Sequence, residues 1–348
     1  MALLSLKLAG YAWDHLTPLL TGEIVPEGIA LTYDTHHGLL VDDDPSRNGG
    51  EASLGTFMID TSRGDKQFIA TPIFPMVGFR HRCFLVKRGT SIGDLAELEG
   101  KRVGIDAWPN SGNTWTRVTL GQAGVDIWKI NWVIAPVEGP ADATHGNLPP
   151  DAPSNVEAGA AGKSLVDLLL AGQIDVMVAA FMPTDFFAPE APIVPMIPDY
   201  RAAERAYFQR HGYVPAHHLL KLHRELVEQD PWILTSLMTA FTASKRLWLE
   251  QRRHLADTTP WLLAEMAEMA ALFGEDWRPY GLEPNLSMLT DFCQDQFAQK
   301  LVTAPVDPTA AFADYTRLEG GHRRHAVPPK LPDFLNGRPD PPAARPRE

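Results

Sequence analysis

The sequence predicts an α/β protein with two lobes and a helical C-terminal part. Its 348 residues exceed the usual size of a single domain. As far as Pro198, short apolar segments typical of strands alternate with segments typical of helices, which indicates parallel sheets covered by helices. Beyond Pro198, the pattern is helical.

The first part of the chain supplies four candidate strands. Alternating apolar residues indicate a strand over Leu3–Ala9, and a short helix follows over Asp14–Gly22, where the glycine ends it. Further strands are predicted at Ile29–Tyr33, Gln67–Ile73 and Cys83–Lys87.

The middle of the chain predicts a second set of alternating elements. These are a helix at Ser91–Leu98, a strand at Lys101–Ile105, a helix at Thr114–Ala123, a strand at Trp132–Ala135, a helix at Ser164–Ala171 and a strand at Ile174–Val178. Polar and glycine-bearing segments predict loops at Asp42–Gly50 and Gly139–Gly162. For Glu51–Ser53, a turn is the alternative to a binding role of Ser53.

Helices complete the chain and set the expected domain division. They are predicted at Tyr200–Arg210, Arg224–Glu228, Trp232–Glu250, Leu262–Leu272 and Leu286–Lys300. We expect lobe 1 to comprise residues 1–82 and 198–318, lobe 2 residues 83–197, and a Pro/Arg-rich tail residues 319–348. Two lobes joined by two crossings form a hinged cleft that closes on a ligand.

Charge and composition exclude several classes of protein. The net charge of −12 disfavours nucleic acid or an anionic membrane as a partner, because both need a basic surface. Two cysteines, Cys83 and Cys293, exclude a disulfide scaffold. The N-terminus lacks the features of a secretion signal, and the longest stretch without charge, Pro231–Ser244, is too short for a membrane span. We therefore expect a cytoplasmic protein.

The nucleotide, zinc-protease and serine-hydrolase motifs are absent, so polar residues beside apolar strands are the candidates for chemistry. Arg80 and His81 follow an apolar strand at the first crossing. An arginine fork suits a carboxylate, and a histidine can hold a proton near neutral pH. The alternative is a solvated loop pair.

Two histidine pairs are further candidates. His217 and His218 precede an apolar run, and at most one of them should face a cleft, because neighbouring side chains on a strand point to opposite faces. His36 and His37 end a strand in the same way. No spacing predicts a metal site among these histidines. We predict no cofactor, while a divalent metal requirement stays open.

A polar turn precedes the helix predicted at Thr114–Ala123. Ser111, Asn113 and Thr114 could hold a carboxylate at this helix N-terminus, or they could only cap the helix. Arg117 lies one turn further on and could reach the same anion or lie on the surface.

Several segments resemble the 4,5-dihydroxyphthalate decarboxylase family, whose members resemble type II periplasmic solute-binding proteins. The segments are Asp14–Ile29, Ile73-Phe74-Pro75, Phe79-Arg80-His81, Leu98–Gly104, Thr114-Trp115-Thr116-Arg117, Pro215-Ala216-His217-His218, Asp230-Pro231-Trp232 and Trp277–Leu282. The resemblance implies a type II periplasmic-binding-protein-like fold. It also implies non-oxidative decarboxylation of a hydroxylated aromatic carboxylate.

The implied reaction needs a proton donor, a partner for the phenol and cations for a carboxylate. On this resemblance Arg80 and Arg117 are the expected carboxylate anchors, His81 the proton donor and His218 the phenol partner. Ser111, Asn113 and Thr114 would add anion contacts. The remaining residues predicted to bind substrate are Asp14, His15, His36 and Ser53.

Three other functions remain open on the same fold. One is a solute-binding protein for a transporter, against which the missing leader argues. Another is a different enzyme, resembling chorismate dehydratase or the thiamine pyrimidine synthase. The third is a ligand sensor. The helical C-terminal third offers surface for a homo-oligomer.

Overall fold

The computed structural model describes residues 2–36, 38–40, 44–140, 146–274 and 276–320. The strands are β1 (Leu4–Ala9), β2 (Ile29–Asp34), β3 (Gly49–Ser53), β4 (Phe68–Thr71), β5 (Phe84–Lys87), β6 (Arg102–Ile105), β7 (Asn131–Ile134), β8 (Val156–Ala158), β9 (Val176–Val178), β10 (Ile193–Pro195) and β11 (His218–His223). The helices are α1 (Thr17–Leu20), α2 (Leu54–Ser62), α3 (Ser111–Gln122), α4 (Leu165–Leu170), α5 (Tyr200–His211), α6 (Arg224–Gln229), α7 (Trp232–His254), α8 (Leu262–Phe273), α9 (Leu286–Ala298), α10 (Pro308–Ala311) and α11 (Ala313–Gly320).

Packing divides the chain into two compact units. Unit 1 comprises Met1–Glu51, Lys221–Ala271 and Asp314–Glu348, and unit 2 comprises Ala52–Leu220 and Leu272–Ala313. These units group residues by contact, and the lobes expected from the sequence stay a prediction. The predicted tail from residue 321 onward lies outside the described residues.

Unit 1 is built around β1. The alternating residues Leu6 and Leu8 are fully buried, as the pattern of a half-buried strand requires. β1 pairs in parallel with β2 along its whole length and with the start of β3. Helix α7 packs on α1, and the buried Ser244 hydroxyl of α7 accepts a hydrogen bond from the amide of Leu19 at 3.2 Å.

Unit 2 contains a six-stranded sheet of order β10-β5-β9-β6-β7-β8. β6 runs parallel to both β7 and β9, while β5 is antiparallel to β9 and β10. Apolar clusters cover the sheet, and their members include Trp132, Val176 and Met177, all fully buried. Parallel strands that are covered on both faces have nearly continuous apolar sequences, and the strands of this sheet show that pattern.

Helix α3 is the element of unit 2 on which the candidate site depends. It begins where the Asn110 side chain accepts a hydrogen bond from the amide of Asn113 at 2.8 Å, and it packs on α9. The ring of Trp115 lies 5.0 Å from that of Phe292, and its indole N–H donates to the carbonyl of Ala216 at 2.8 Å. The helix is therefore held firmly along its apolar side.

Several local predictions were wrong. Glu51–Ser53 belongs to β3 and is not a turn, and α2 directly after it was not predicted. The predicted loop Gly139–Gly162 contains β8, because Val156 pairs with Trp132 of β7 at the sheet edge. Only Leu95–Leu98 of the predicted helix Ser91–Leu98 is helical, as one short turn. Each of these differences depends on tertiary pairing or on a cap. Among the described helices, none is both long and apolar enough to cross a bilayer.

Candidate functional site

Two helices of unit 2 begin side by side, and a pair of serines joins them. Ser53 caps α2 and Ser111 is the first residue of α3. Their hydroxyl oxygens lie 2.8 Å apart, and the Ser111 oxygen also accepts the Gly55 amide at 2.8 Å. Because a helix N-terminus carries partial positive charge, the paired helix starts favour an anion at this place.

Arg80 lies against the same helix start. Its side chain is 4% exposed, and Nη2 lies 2.8 Å from Nδ1 of His217. A Cβ atom at position 112 would lie 2.4 Å from Nη2, so the guanidinium occupies the space that Gly112 leaves. Among the described residues, Arg80 forms no ion pair with a carboxylate and its Nε has no hydrogen-bond partner. This is a buried cation with capacity for an anion.

His217 fixes the position of Arg80 and is itself fixed. It is 1% exposed, and its Nε2 lies 2.7 Å from the carbonyl oxygen of Gly78. A carbonyl can only accept and a guanidinium can only donate, so Nε2 carries the proton and Nδ1 accepts from Arg80. Burial, with the Arg80 charge beside it, lowers the pKa of His217 well below its usual value. His217 is therefore a neutral positioning group.

The sequence had indicated Arg80, Ser53 and Ser111 separately, and the structure brings them together. We name Ser53, Arg80, Ser111, Gly112 and His217 the serine–arginine cluster. His217 and Gly112 were not among the predicted site residues. The only signal for His217 was its place in a histidine pair, of which it is the buried member while His218 is half-buried.

Asn113 and Thr114 lie in the first turn of α3, and not in a turn before it. The Asn113 amide donates to Asp106 and to the carbonyl of Ala107, both at 2.6 Å. The Thr114 hydroxyl donates to the carbonyl of Asn110 at 2.9 Å. Both side chains are buried and act as donors here, whereas the residue that caps the helix is Asn110, whose side chain accepts the backbone N–H of Asn113. Their predicted contact with substrate stays a prediction.

Arg117 is buried on the other side of α3. Nε donates to Gln299 at 2.7 Å and Nη2 to the carbonyl of Trp108 at 2.8 Å, while the guanidinium lies 4.0 Å from the centre of a Trp108 ring. Burial lowers its pKa to about 9. These contacts tie α3 to its neighbours and support a packing role, and its role as a carboxylate anchor stays a prediction.

His81 points away from the partners of Arg80. It is 8% exposed and its ring lies 5.9 Å from that of Tyr207. It lines a cavity of about 300 Å³ together with Tyr207 and His211, which we name the ring cavity. Burial lowers the pKa of His81 to about 4, so the ring is neutral at pH 7 and lacks the proton that its predicted donor role requires.

Three predicted site residues belong to unit 1. Asp14 is exposed and pairs with Arg252 at 3.0 Å. His15 is buried, with its ring 6.2 Å from a ring of Trp248. His36 is exposed, and its amide donates to Asp34 at 2.9 Å. Its neighbour His37 lies outside the described residues. A substrate contact of these residues stays a prediction.

Acidic and histidine side chains do not gather into a metal site in the part of the chain that the structure describes. No group of three or more His, Cys, Asp or Glu side chains has an arrangement that could hold an ion. The chemistry available in the serine–arginine cluster is therefore that of a cation, two hydroxyls and two helix N-termini acting on an anion.

Known proteins similar to this chain fall into two groups. No model of a known protein family matches it. Two curated relatives are named 4,5-dihydroxyphthalate decarboxylase. The one from Comamonas testosteroni is 27% identical over 90% of this chain and 97% of its own. The one from Pseudomonas putida is 26% identical over 53% of this chain and 73% of its own.

The fold is shared with a periplasmic binding protein. The periplasmic aliphatic sulphonate binding protein SsuA from Escherichia coli superposes with a TM-score of 0.50, at 10% identity, over 90% of this chain and 98% of its own. This likeness confirms the predicted fold and carries no function. The chain has a two-lobed α/β fold of the periplasmic-binding-protein type, and its sequence is related to those of the 4,5-dihydroxyphthalate decarboxylases.

Proposed function

We propose that this protein is a carboxy-lyase that removes one carboxyl group from a hydroxylated, phthalate-type aromatic acid. The observation that carries the proposal is the similarity to a protein named 4,5-dihydroxyphthalate decarboxylase over 90% of this chain and 97% of that relative. Fold likeness alone would not support an activity, because one fold serves many functions.

The reaction needs no oxidant. A proton adds to the ring carbon that carries the departing carboxylate, with the electron pair of the new C–H bond coming from the ring. A phenolic hydroxyl in the ortho or para position supplies electron density for this step. The bond between the ring and the carboxylate then breaks, its electron pair restores the aromatic ring, and carbon dioxide leaves. The protein must therefore hold an anion and deliver one proton.

The serine–arginine cluster is suited to hold the anion. A phthalate-type acid keeps a second carboxylate throughout the reaction, and a buried arginine without an acidic partner is a strong site for such a group. The hydroxyls of Ser53 and Ser111 and the two helix N-termini add donors beside it. We assign Arg80 to the retained carboxylate.

Proton delivery falls to His218 in this proposal. The low pKa of His81 leaves about one molecule in a thousand protonated there at pH 7, which is a poor supply for a general acid. His218 is half-buried and next to the fixed His217. We therefore move the donor role, expected for His81 from the sequence, to His218.

A second candidate function is binding without turnover. It is favoured by the buried Arg80, which forms no ion pair with a carboxylate among the described residues and so has capacity for an anion. An arginine beside two helix N-termini would also suit a pure receptor for a small aromatic anion. Cytoplasmic location, which argued against a transporter's receptor, remains a prediction.

Turnover separates the two functions. We would incubate the purified full chain with 4,5-dihydroxyphthalate and follow carbon dioxide release together with ring absorbance. Decarboxylation that is lost in His218→Ala and kept in His254→Ala, a change at an exposed histidine, is the expected result. Binding of the acid without carbon dioxide release would favour the receptor and contradict the proposed reaction.

A further inference from the structure

The ring cavity lies within unit 2, against the C-terminal half of α3. Its volume is about 300 Å³, and its walls come from α3, α5 and the segment around His81. Its polar lining includes His81, Asp94, Gln122, Tyr207, Arg210 and His211. A volume of this size accommodates a single aromatic ring with substituents.

Three rings at this cavity hold polar atoms that the described chain does not satisfy. Nδ1 of His81, Nε2 of His211 and the hydroxyl of Tyr207 are buried and have no hydrogen-bond partner among the described residues. The Tyr207 hydroxyl lies beside Tyr213 and Gln122, but neither meets it in hydrogen-bonding geometry. Buried polar groups are normally satisfied, so three at one cavity indicate a missing partner.

The rings also pack together into an aromatic wall, in which one ring stands edge-on to its neighbour. Tyr207 and His211 lie 4.5 Å apart with their planes inclined by 32°, and His81 meets Tyr207 edge-on at 5.9 Å and 71°. Because His81 and Tyr207 are only 8% and 6% exposed, their positions are set by packing. Such a wall suits a planar ligand.

The cavity carries no net charge that would select an ion. Asp94 and Arg210 are exposed residues of opposite sign among its lining. Burial lowers the pKa of His81 to about 4, lowers that of His211 below its usual value, and raises the pKa of Tyr207 to about 12. The three rings therefore present neutral donors and acceptors. Hydroxyl groups match them better than carboxylates do.

The ring cavity is separate from the serine–arginine cluster. Gln122 follows Ser111 by eleven residues on one helix, which places the two about 16 Å apart along its axis. Arg80 and His81 are neighbours in the chain, yet Arg80 contacts His217 while His81 contacts Tyr207. One molecule of a single-ring acid cannot occupy both places.

We propose that the ring cavity is a second binding site, for an uncharged monocyclic phenol held by His81, Tyr207 and His211. This proposal does not rest on the proposed reaction, since it uses only the cavity and its unsatisfied groups. The ligand class is a hydroxylated benzene ring without a carboxylate.

Catechol is the probe, with benzoate as a charged ring of similar size without hydroxyls. We would titrate each into the full chain, measuring affinity by calorimetry and the ring ¹⁵N signals of His81 and His211 by NMR. Catechol should bind and shift both signals, and benzoate should leave them unchanged. Tyr207→Phe, which removes only an unpartnered hydroxyl and so should fold normally, should weaken catechol binding about fivefold. Tyr200→Phe, on the same helix outside the cavity, should not.

Two results would overturn the proposal. One is catechol affinity that is equal in the wild-type and Tyr207→Phe proteins, with the histidine signals unmoved. The other is loss of catechol binding in Arg80→Ala, which would place the probe in the serine–arginine cluster. A crystal soaked in catechol that shows only ordered water on the three rings would support the first of these. Absence of decarboxylation leaves this test unaffected.

Discussion

The two ends of helix α3 contrast in how their polar groups are satisfied. At its start, Ser111, Asn113 and Thr114 each have a hydrogen-bond partner within unit 2, while Nε of Arg80 and Nη1 of Arg117 have none among the described residues. Along its second half, the helix lines a cavity whose rings keep unsatisfied atoms. The first arrangement is preorganised around a charge, whereas the second holds buried polar atoms that have no partner among the described residues.

Removing the charge at the start of α3 should have the largest effect. Arg80→Ala deletes the proposed carboxylate anchor, and we expect kcat/KM for decarboxylation to fall about 1,000-fold. Steady-state kinetics on 4,5-dihydroxyphthalate measure it. Arg63→Ala, at an exposed arginine after α2, is the control and should change nothing. Full catalytic efficiency in Arg80→Ala would show that the carboxylate is held elsewhere.

Acidification should test the second end of the helix. His81 is buried at the cavity that this end of the helix lines, and its pKa is about 4, below the usual 6.5. Between pH 4 and pH 6.5 the unfolded chain therefore binds more protons than the folded chain does. Stability should therefore be complete above pH 6.5 and fall by about 3 kcal/mol as the pH drops to 4. Urea unfolding at several pH values measures this, and His81→Gln should flatten the curve.

A half-buried carboxyl in unit 2 has a pKa shift of the opposite sign and provides a comparison. Burial and the neighbouring Asp291 raise the pKa of Asp295 to about 6. Because the folded state then holds the extra proton, Asp295 lowers stability as the pH rises through this range. The free energy of unfolding should therefore fall more steeply with decreasing pH in Asp295→Asn, and less steeply in His81→Gln, than in the wild-type protein. If both variants follow the wild-type curve, other groups control acid unfolding.

One glycine lies near each end of α3, so the same glycine-to-alanine substitution can be compared at the two ends. A Cβ atom on Gly112 would meet the Arg80 guanidinium at 2.4 Å, whereas Gly121 has nothing within 4 Å. Gly112→Ala should displace Arg80 and reduce kcat about 100-fold. Gly121→Ala should keep activity and stabilise the fold by up to about 1 kcal/mol through helix propensity. Equal kinetics for the two variants would contradict the assigned position of Arg80.

The sequence predicted the order of elements better than the site. The helix α3 was predicted, but its start was placed at Thr114, three residues late, because Asn110-Ser111-Gly112 was interpreted as a turn and not as a cap with the first helical residues. Arg80 was predictable because a planar cation follows an apolar strand. The partner of Arg80 was not. His217 and His218 are equivalent in sequence, and only the pairing of Met76–Gly78 with Pro215–His217 selects His217.

Two residues that are adjacent in the chain can have different surroundings in the fold, and no local sequence pattern predicts this. Arg80 and His81 read as one dipeptide, but a short turn at His81–Cys83 sends them to different surroundings. The helix α2 and the strand β8 were missed because their stability depends on Ser53 meeting Ser111 and on Val156 pairing with Trp132. Those partners are distant in sequence.

The guanidinium of Arg80, which forms no ion pair with a carboxylate among the described residues, has a consequence for the lifetime of the protein. An anion that neutralises it binds only the folded chain, so by mass action the ligand at 100 times its Kd adds about 2.7 kcal/mol to folding. Proteases in a cell act mainly on opened molecules. The supply of the anion would thereby set how long each copy survives, and abundance would follow demand without any change in synthesis.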